Sequence, residues 1–224
     1  NLNVLNSLLS IKKRCNAVIV TSDKSYKNLE LERGYKEDDL LGGKDPYSGS
    51  KGAAELIINS YFNSYIIFKK NLSITIGRAG NVIGGGDWSI DRVVPDCMRS
   101  WSNNKVVKIR NPNSTRPWQH VLEVVRGYLQ SAILSKKLRK KLNGEAFNFG
   151  PNNHQNKNVI QLVKEMKKHW VKVKWKVEKL KDKKIEAKLL KLNSAKSKKF
   201  LSWKPILNFN EAVELTTLWY KQFY

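Results

Sequence analysis

Cysteine is nearly absent from this sequence of 224 residues, and histidine and methionine are almost as scarce, with two Cys, three His and two Met. Cys15 and Cys97 form no CxxC pair, so neither a disulfide framework nor a metal site is expected, and both thiols read as buried or idle. No run approaches the roughly 20 apolar residues that cross a bilayer, and the opening NLNVLNSLLSIKKRC lacks the basic, apolar, small-residue order of a secretion signal. A cytoplasmic protein without a membrane partner is the expectation. Acidic residues are few as well: 19 Asp or Glu face 42 Lys or Arg, for a formal charge of +23. Most of that excess lies between Lys136 and Lys199, almost all of it lysine with apolar residues between. Such a field attracts polyanions, which keeps nucleic-acid binding open as a reading. No zinc-finger or RNP-type motif accompanies it, so a solvated lysine-rich face accounts for it better and no nucleic-acid partner is expected.

The hydrophobic content of 41% is ordinary for a globular chain, enough for one core with a small lobe attached. The β-branched run AVIVTS, residues 17–22, reads as a buried strand, preceded by the amphipathic stretch NVLNSLLSIKKR. After a polar loop over 27–46, apolar spacing predicts a helix from Ser48 to about Phe68, and LSITI, residues 72–76, reads as a second buried strand. This alternation belongs to a parallel α/β sheet and places Thr21 and Arg78 just beyond strand carboxyl ends, where ligands of open α/β sheets bind. Further on, the pattern predicts a helix over 91–103, a strand in KVVKI, a polar turn in RNPNSTRPWQH and a helix in VLEVVRGYLQSAIL. AFNFG and VKVKWKV read as strands, and VIQLVKEMKKHW, residues 194–201 and residues 210–223 as helices.

The chemistry concentrates in DPYSGSKGAAELI, residues 45–57. Tyr47 and Lys51, four apart, share one helical face. An ammonium beside a phenol favours the phenolate, which lets a tyrosine act as a base near neutral pH. Thr21, at a strand end, can donate to the same substrate hydroxyl.

Thr21 together with YSGSK resembles the active site of the short-chain dehydrogenase/reductases, in their extended branch acting on nucleotide sugars. The resemblance tightens over VTSDKSYKN, DPYSGSKGAAEL, GRAGNVIGGGDWSIDRVVPD, IRNPNSTRPWQHVLE, GEAFNFGPN and LSWKPILNFNEAVELTTLWY, which look like the CDP-glucose 4,6-dehydratases. The distinctive points are the lysine of TSDK, where most nucleotide-sugar 4,6-dehydratases have glutamate, and the segments GGGDW and RPWQHV. The resemblance implies a Rossmann-type parallel sheet, incomplete here, over residues 1–85, and a smaller mixed α/β substrate lobe over 86–224 with some segments returning to the first body. It implies NAD as cofactor and CDP-glucose as substrate, in a pathway to deoxysugars of lipopolysaccharide or other surface polysaccharide. Tyr47 would take the proton of the sugar 4-hydroxyl, Thr21 would orient that hydroxyl, and Lys51 would tune Tyr47 and hold the nicotinamide ribose. Asp23 would protonate the departing 6-hydroxyl. Lys24 would be the base at C5, which requires it neutral, as burial or cationic neighbours would favour. Asn81 matches a position contacting sugar or diphosphate, Arg116 a diphosphate-binding arginine whose fork suits paired phosphate oxygens, and Arg92 a second basic group near the nucleotide.

Each substrate residue has a plainer alternative: Asn81 capping a turn, Arg92 as a surface charge, Arg116 paired to a carboxylate. Trp88 and Trp118 could stack on the base, though core packing suits both better. Two departures stand out. The strand, glycine-rich turn and helix that hold the dinucleotide pyrophosphate in the family have no counterpart, so roughly the first third of such an enzyme is expected to lie outside this sequence. Ile185 stands before Glu186 where the family tends to carry histidine. Three readings therefore remain: a piece of a CDP-glucose 4,6-dehydratase, a non-catalytic sugar-nucleotide binder that stabilises a partner, and a lysine-rich nucleic-acid binder. A homodimer, or a complementing chain supplying the missing portion, is the expected partner.

Overall fold

The computed structural model describes residues 2–152, 156–171, 173–178 and 190–224. Along the chain run α1 (Leu2–Leu9), β1 (Cys15–Val20), a 3-10 turn (Asp23–Ser25), α2 (Pro46–Ser64), β2 (Leu72–Ala79), β3 (Val82–Ile83), α3 (Val93–Ser102) and β4 (Val107–Ile109). Then come β5 (Thr115–Pro117), β6 (Gln119–His120), α4 (Val121–Lys137), α5 (Arg139–Leu142), β7 (Ala146–Phe149), β8 (Asn156–Asn158), α6 (Val159–His169), β9 (Trp175–Val177), α7 (Ala195–Leu201) and α8 (Phe209–Phe223). The chain divides into two compact units, each built from three separate segments.

The first unit takes Asn1–Gly80, Val124–Gly150 and Leu190–Lys204. Its sheet has the order β1-β2-β7, all parallel, with Ile19 opposite Ile76 and Gly77 opposite Phe147. Strand β2 is buried along all eight residues, as a central parallel strand covered on both faces must be. Its alternation sends Leu72, Ile74 and Ile76 to one face, where Leu5 of α1 and Ile58 of α2 join them. On the other face, Thr75 Oγ1 lies 2.7 Å from Ser131 Oγ of α4. The absent side chain of Gly77 leaves room for the Tyr128 ring, which a Cβ there would meet at 2.4 Å. Helices on both faces of a parallel sheet make this a mixed α/β body of the expected class. A second apolar cluster joins Phe147 and Phe149 of β7 to Leu142, Leu201 and Trp203.

The second unit takes Asn81–Glu123, Pro151–Leu189 and Pro205–Tyr224. Three two-stranded pairs, β3 with β6, β4 with β9 and antiparallel β5 with β8, surround a helical core. That core gathers Cys97, Met98 and Trp101 of α3, Leu162, Val163 and Met166 of α6, and Phe209, Ala212, Val213 and Tyr220 of α8. Both α6 and α8 begin with a capping box, Asn158 with Gln161 and Asn208 with Glu211, which satisfies two otherwise orphaned backbone donors at each helix start. The polar turn expected over RNPNSTRPWQH contains β5 and β6. Their partners, β8 and β3, lie far away in sequence, so local composition reads as loop. The position of Ile185 and Glu186 falls outside the described residues.

Candidate active site

Strand β1 ends at Val20, and the chain is held there by the Thr21 amide, which donates to the Gly77 carbonyl at 2.8 Å. The 3-10 turn follows at once, capped by Ser22, whose hydroxyl oxygen accepts from the Lys24 amide. This turn buries Asp23, leaves Lys24 half-buried, and sets both beside Thr21 in sequence at the carboxyl end of the sheet. Helix α2 starts with Asp45 as N-cap, accepting from the Ser48 amide at 3.0 Å, and with Pro46 in the first turn, where a missing N–H does no harm. Gly52 lets this helix lie close to the loop beneath it, since a Cβ there would come within 3.0 Å of the Gly42 backbone.

Tyr47 is exposed on the first turn of α2 and Lys51 is half-buried one turn later, its ammonium 5.5 Å from the centre of the Tyr47 ring. Among the described residues, no hydrogen bond or ion pair occupies the Lys51 ammonium or the Tyr47 hydroxyl, so three donors and a phenol stand ready for a ligand. A donor set of that kind fits the ribose hydroxyls of a dinucleotide. One further turn along the same face is Glu55, fully buried, and its carboxylate accepts from the Thr21 hydroxyl at 2.5 Å. This bond ties the end of β1 to α2 and so brings Thr21 and the Tyr47 face of the helix into one region of the first unit. In this structure the one Thr21 hydroxyl proton goes to Glu55.

Arg78 differs from its expected place. It lies inside β2, 3% exposed, and grips Glu55 through two hydrogen bonds of 2.8 and 2.7 Å. Strand β2 continues past LSITI to Ala79, so Arg78 is an internal strut and no ligand group. Its Nη1 also donates to the Tyr26 hydroxyl at 2.7 Å and to the Glu37 carbonyl at 2.9 Å, and Tyr26 donates onward to Asn148 Oδ1 at 2.8 Å. Burial alone would lower the Arg78 pKa, but hydrogen bonding to Glu55 and the negative charges around it more than offset this and hold the guanidinium above its ordinary value. The Tyr26 phenol is pushed well above its usual range by burial. Sequence reading missed Glu55, although the spacing 47, 51, 55 put it on the face already singled out. An acidic residue on an inward helical face was the available signal.

Asn81, Arg92 and Arg116 belong to the second unit. Asn81 is half-buried just before β3, and its carbonyl accepts from the Gln119 amide at 3.2 Å. Arg92 is the N-cap residue of α3; its side chain is 64% exposed, with Nη1 3.9 Å from Asp87 Oδ2. Arg116 is half-buried in β5, with Nη1 donating to the Thr115 carbonyl at 2.8 Å. Trp118 is core, 4% exposed, its indole N–H donating to the Lys157 carbonyl. Trp88 is instead exposed and packs with the exposed Trp219 and Phe223 and with Tyr220 of the core. Among the described residues no cluster of His, Cys, Asp or Glu could hold a metal ion, and no helix is long and apolar enough to cross a membrane.

The chain is similar to known proteins. The chain is 42% identical over 209 residues to the CDP-glucose 4,6-dehydratase of Salmonella typhimurium, covering 91% of this chain and 58% of that protein. It is 26% identical over 211 residues to the dTDP-D-glucose 4,6-dehydratase of Homo sapiens, covering 92% of this chain and 56% of that protein. The chain thus spans little more than half the length of these curated relatives. Among solved structures, UDP-glucuronic acid 4-epimerase from Bacillus cereus, in complex with UDP-glucuronic acid and NAD, superposes with a TM-score of 0.80 at 18% identity, over 99% of this chain and 66% of that one. The dTDP-glucose 4,6-dehydratase from Bacillus anthracis, in complex with NAD, does so with a TM-score of 0.74 at 20% identity, over 99% and 65%. At such identities the likeness is one of fold, and the fold is the Rossmann-like one of these sugar-nucleotide enzymes. The model of the family described as GDP-mannose 4,6 dehydratase matches residues 1–216. With nearly its whole length inside that match, the chain belongs to the GDP-mannose 4,6 dehydratase family.

Proposed function

We propose that this chain carries the acid–base and sugar-handling machinery of a nucleotide-sugar 4,6-dehydratase, a hydro-lyase, acting on CDP-glucose to give CDP-4-keto-6-deoxyglucose. The observation that carries the reading is the Thr21–Glu55 hydrogen bond, which joins the strand end bearing Thr21, Asp23 and Lys24 to the helix face bearing Tyr47 and Lys51. NAD, when bound, supplies the hydride acceptor for C4 and the donor for C6. Tyr47 takes the proton of the 4-hydroxyl, and Lys51 favours its phenolate while offering donors to the nicotinamide ribose. A carbonyl at C4 acidifies the C5 proton, which Lys24 removes, and Asp23 protonates the 6-hydroxyl as it leaves as water. Asn81, Arg92 and Arg116 hold the sugar diphosphate; guanidinium forks suit phosphate oxygens. The preference for cytidine follows the Salmonella relative, while the place in deoxysugar synthesis for surface polysaccharide, in the cytoplasm, is carried by the sequence resemblance alone. The same reading makes residues 1–85 and 86–224 the cofactor-side and substrate-side portions, and the working form a homodimer or a complex with a complementing chain.

The test is calorimetry of the purified chain with NAD, with and without CDP-glucose, while 4-keto sugar formation is followed in the same samples. NAD binding with keto-sugar product is the expected outcome. A folded chain that binds CDP-glucose without NAD or product would leave a sugar-nucleotide binder and overturn the catalytic reading. Binding to random DNA but not to CDP-glucose would overturn both.

A further inference from the structure

Ten basic residues and no acidic one fall in three short segments of the first unit: KKR at 12–14, KK at 69–70 and KKLRKK at 136–141. Far apart in sequence, they meet at the amino end of the sheet. Cys15 opens β1 opposite Leu72 of β2, so residues 12–14 and 69–70 enter side by side. Asn71 secures that junction by donating to the Ile11 carbonyl at 2.7 Å, while its own carbonyl accepts from the Cys15 amide at 2.8 Å. The third segment is tied to the other two through backbone carbonyls. Arg139 donates to that of Leu72 at 2.7 Å and to that of Lys69, and Arg14 donates to that of Lys136 at 3.2 Å. The first acidic residue beyond the third segment, Glu145, is already paired with Lys196. An uncompensated cluster of this density repels itself and concentrates anions around it.

The side chains sort by kind. Both arginines, whose forks suit discrete phosphates and nucleic acid, spend donors on protein carbonyls, whereas the lysines of the three segments are exposed, apart from half-buried Lys69. Apolar side chains stand in water among them. Phe68, directly before Lys69, is 77% exposed, and Ile67 and Leu138 are exposed as well. Ammonium groups with apolar side chains between them match a lipid headgroup layer, where the charges meet phosphates and the apolar groups reach the acyl boundary. We propose that the amino end of this sheet is a docking face for an anionic lipid bilayer, held by its lysines and anchored by Phe68 and Ile67. This is attachment to a surface and asks for no spanning helix, in a chain whose sequence alone suggested no membrane partner. Strand β2 runs eight residues at about 3.3 Å each, which sets the face about 25 Å from the carboxyl end of the sheet, where Thr21 lies. A chain seated this way keeps that end turned to the solution.

The experiment is co-sedimentation of the purified chain with phosphatidylcholine vesicles, without and with about one-third phosphatidylserine, at about 100 mM salt. Binding is expected to the anionic vesicles alone and should fall as salt rises. Lys136→Gln, Lys137→Gln and Lys140→Gln together should weaken it about 100-fold, near fivefold for each charge removed. Lys105→Gln, Lys164→Gln and Lys221→Gln, at exposed lysines of the second unit, remove the same net charge and should leave binding within about threefold. Phe68→Ser should weaken binding about tenfold with its salt dependence unchanged. Every one of these side chains is exposed, so the variants are expected to melt with the wild type. No binding to the anionic vesicles overturns the proposal. Equal losses in the two triple variants overturn it too, because a diffuse field would then explain the binding. An RNA oligonucleotide that binds through Lys136, Lys137 and Lys140 while vesicles stay unbound would give the face to nucleic acid and overturn it as well.

Discussion

At the scale of single residues, the site divides into groups that face a ligand and groups that hold them still. Tyr47 is of the first kind: it is exposed, and its hydroxyl is engaged by no described residue. Tyr47→Phe removes only that hydroxyl, so keto-sugar formation should fall by about 100-fold or more while CDP-glucose affinity stays within a few-fold, read by product assay beside calorimetry. Glu37 is of the second kind, its carboxylate accepting from the Asn148 amide at 2.8 Å. Burial raises its pKa above 4.5, so the folded chain holds its proton to higher pH than the unfolded chain does. Its contribution to stability is then full below the unfolded value and declines as pH rises through the folded one. Urea melts of wild type and Glu37→Gln should therefore show the variant gaining on wild type as pH rises above 4.5; a constant gap would refute this. Tyr47 and Lys51 were legible from spacing alone, because both belong to one short helical stretch. Glu55 was not, because its meaning lies in Arg78 and Thr21, 23 and 34 residues away.

At the scale of elements, the sequence predicts best where periodicity is strong. β1, β2, α2, α3, α4, α6 and α8 all fall where apolar spacing put them, with ends displaced by a few residues. Helix α2 begins at Pro46 because Asp45 caps it, so Tyr47 is inside the helix where the apolar count had begun at Ser48. The short strands β3, β5, β6 and β8 were illegible for another reason. Two or three residues cannot show a period of two, and each is defined by a partner remote in the chain. Caps, by contrast, act locally and predict local effects. Asn208 opens α8 by accepting from the Glu211 amide while the Glu211 side chain returns to the Asn208 amide. Asn208→Ala should destabilise the chain by about 1 kcal/mol, seen as a lower denaturation midpoint with an unchanged slope, and leave Thr21 and Tyr47 of the other unit undisturbed.

At the scale of the whole molecule, the charge of +23 and the two thiols give separable predictions. Retention on random DNA should collapse between about 50 and 200 mM salt if lysines act only as a diffuse field, while CDP-glucose affinity changes far less. Burial pushes the Cys97 thiol far above its ordinary range, and it sits in the core of α3, whereas Cys15 is half-buried at the start of β1. A thiol reagent should label Cys15 in the native chain and Cys97 only after unfolding; equal labelling would contradict the packing of the second unit. The first unit draws its last segment, Leu190–Lys204, from near the end of the chain, and that segment brings Leu201 and Trp203 to a core already holding Phe147 and Phe149. On the ribosome, where residues emerge at about 5–20 per second, the strand and helix that carry Thr21 and Tyr47 leave the exit tunnel many seconds before the side chains that seal the sheet beside them. For that interval the nascent chain displays bare aromatic surface, and the site forms early on a foundation that is completed last.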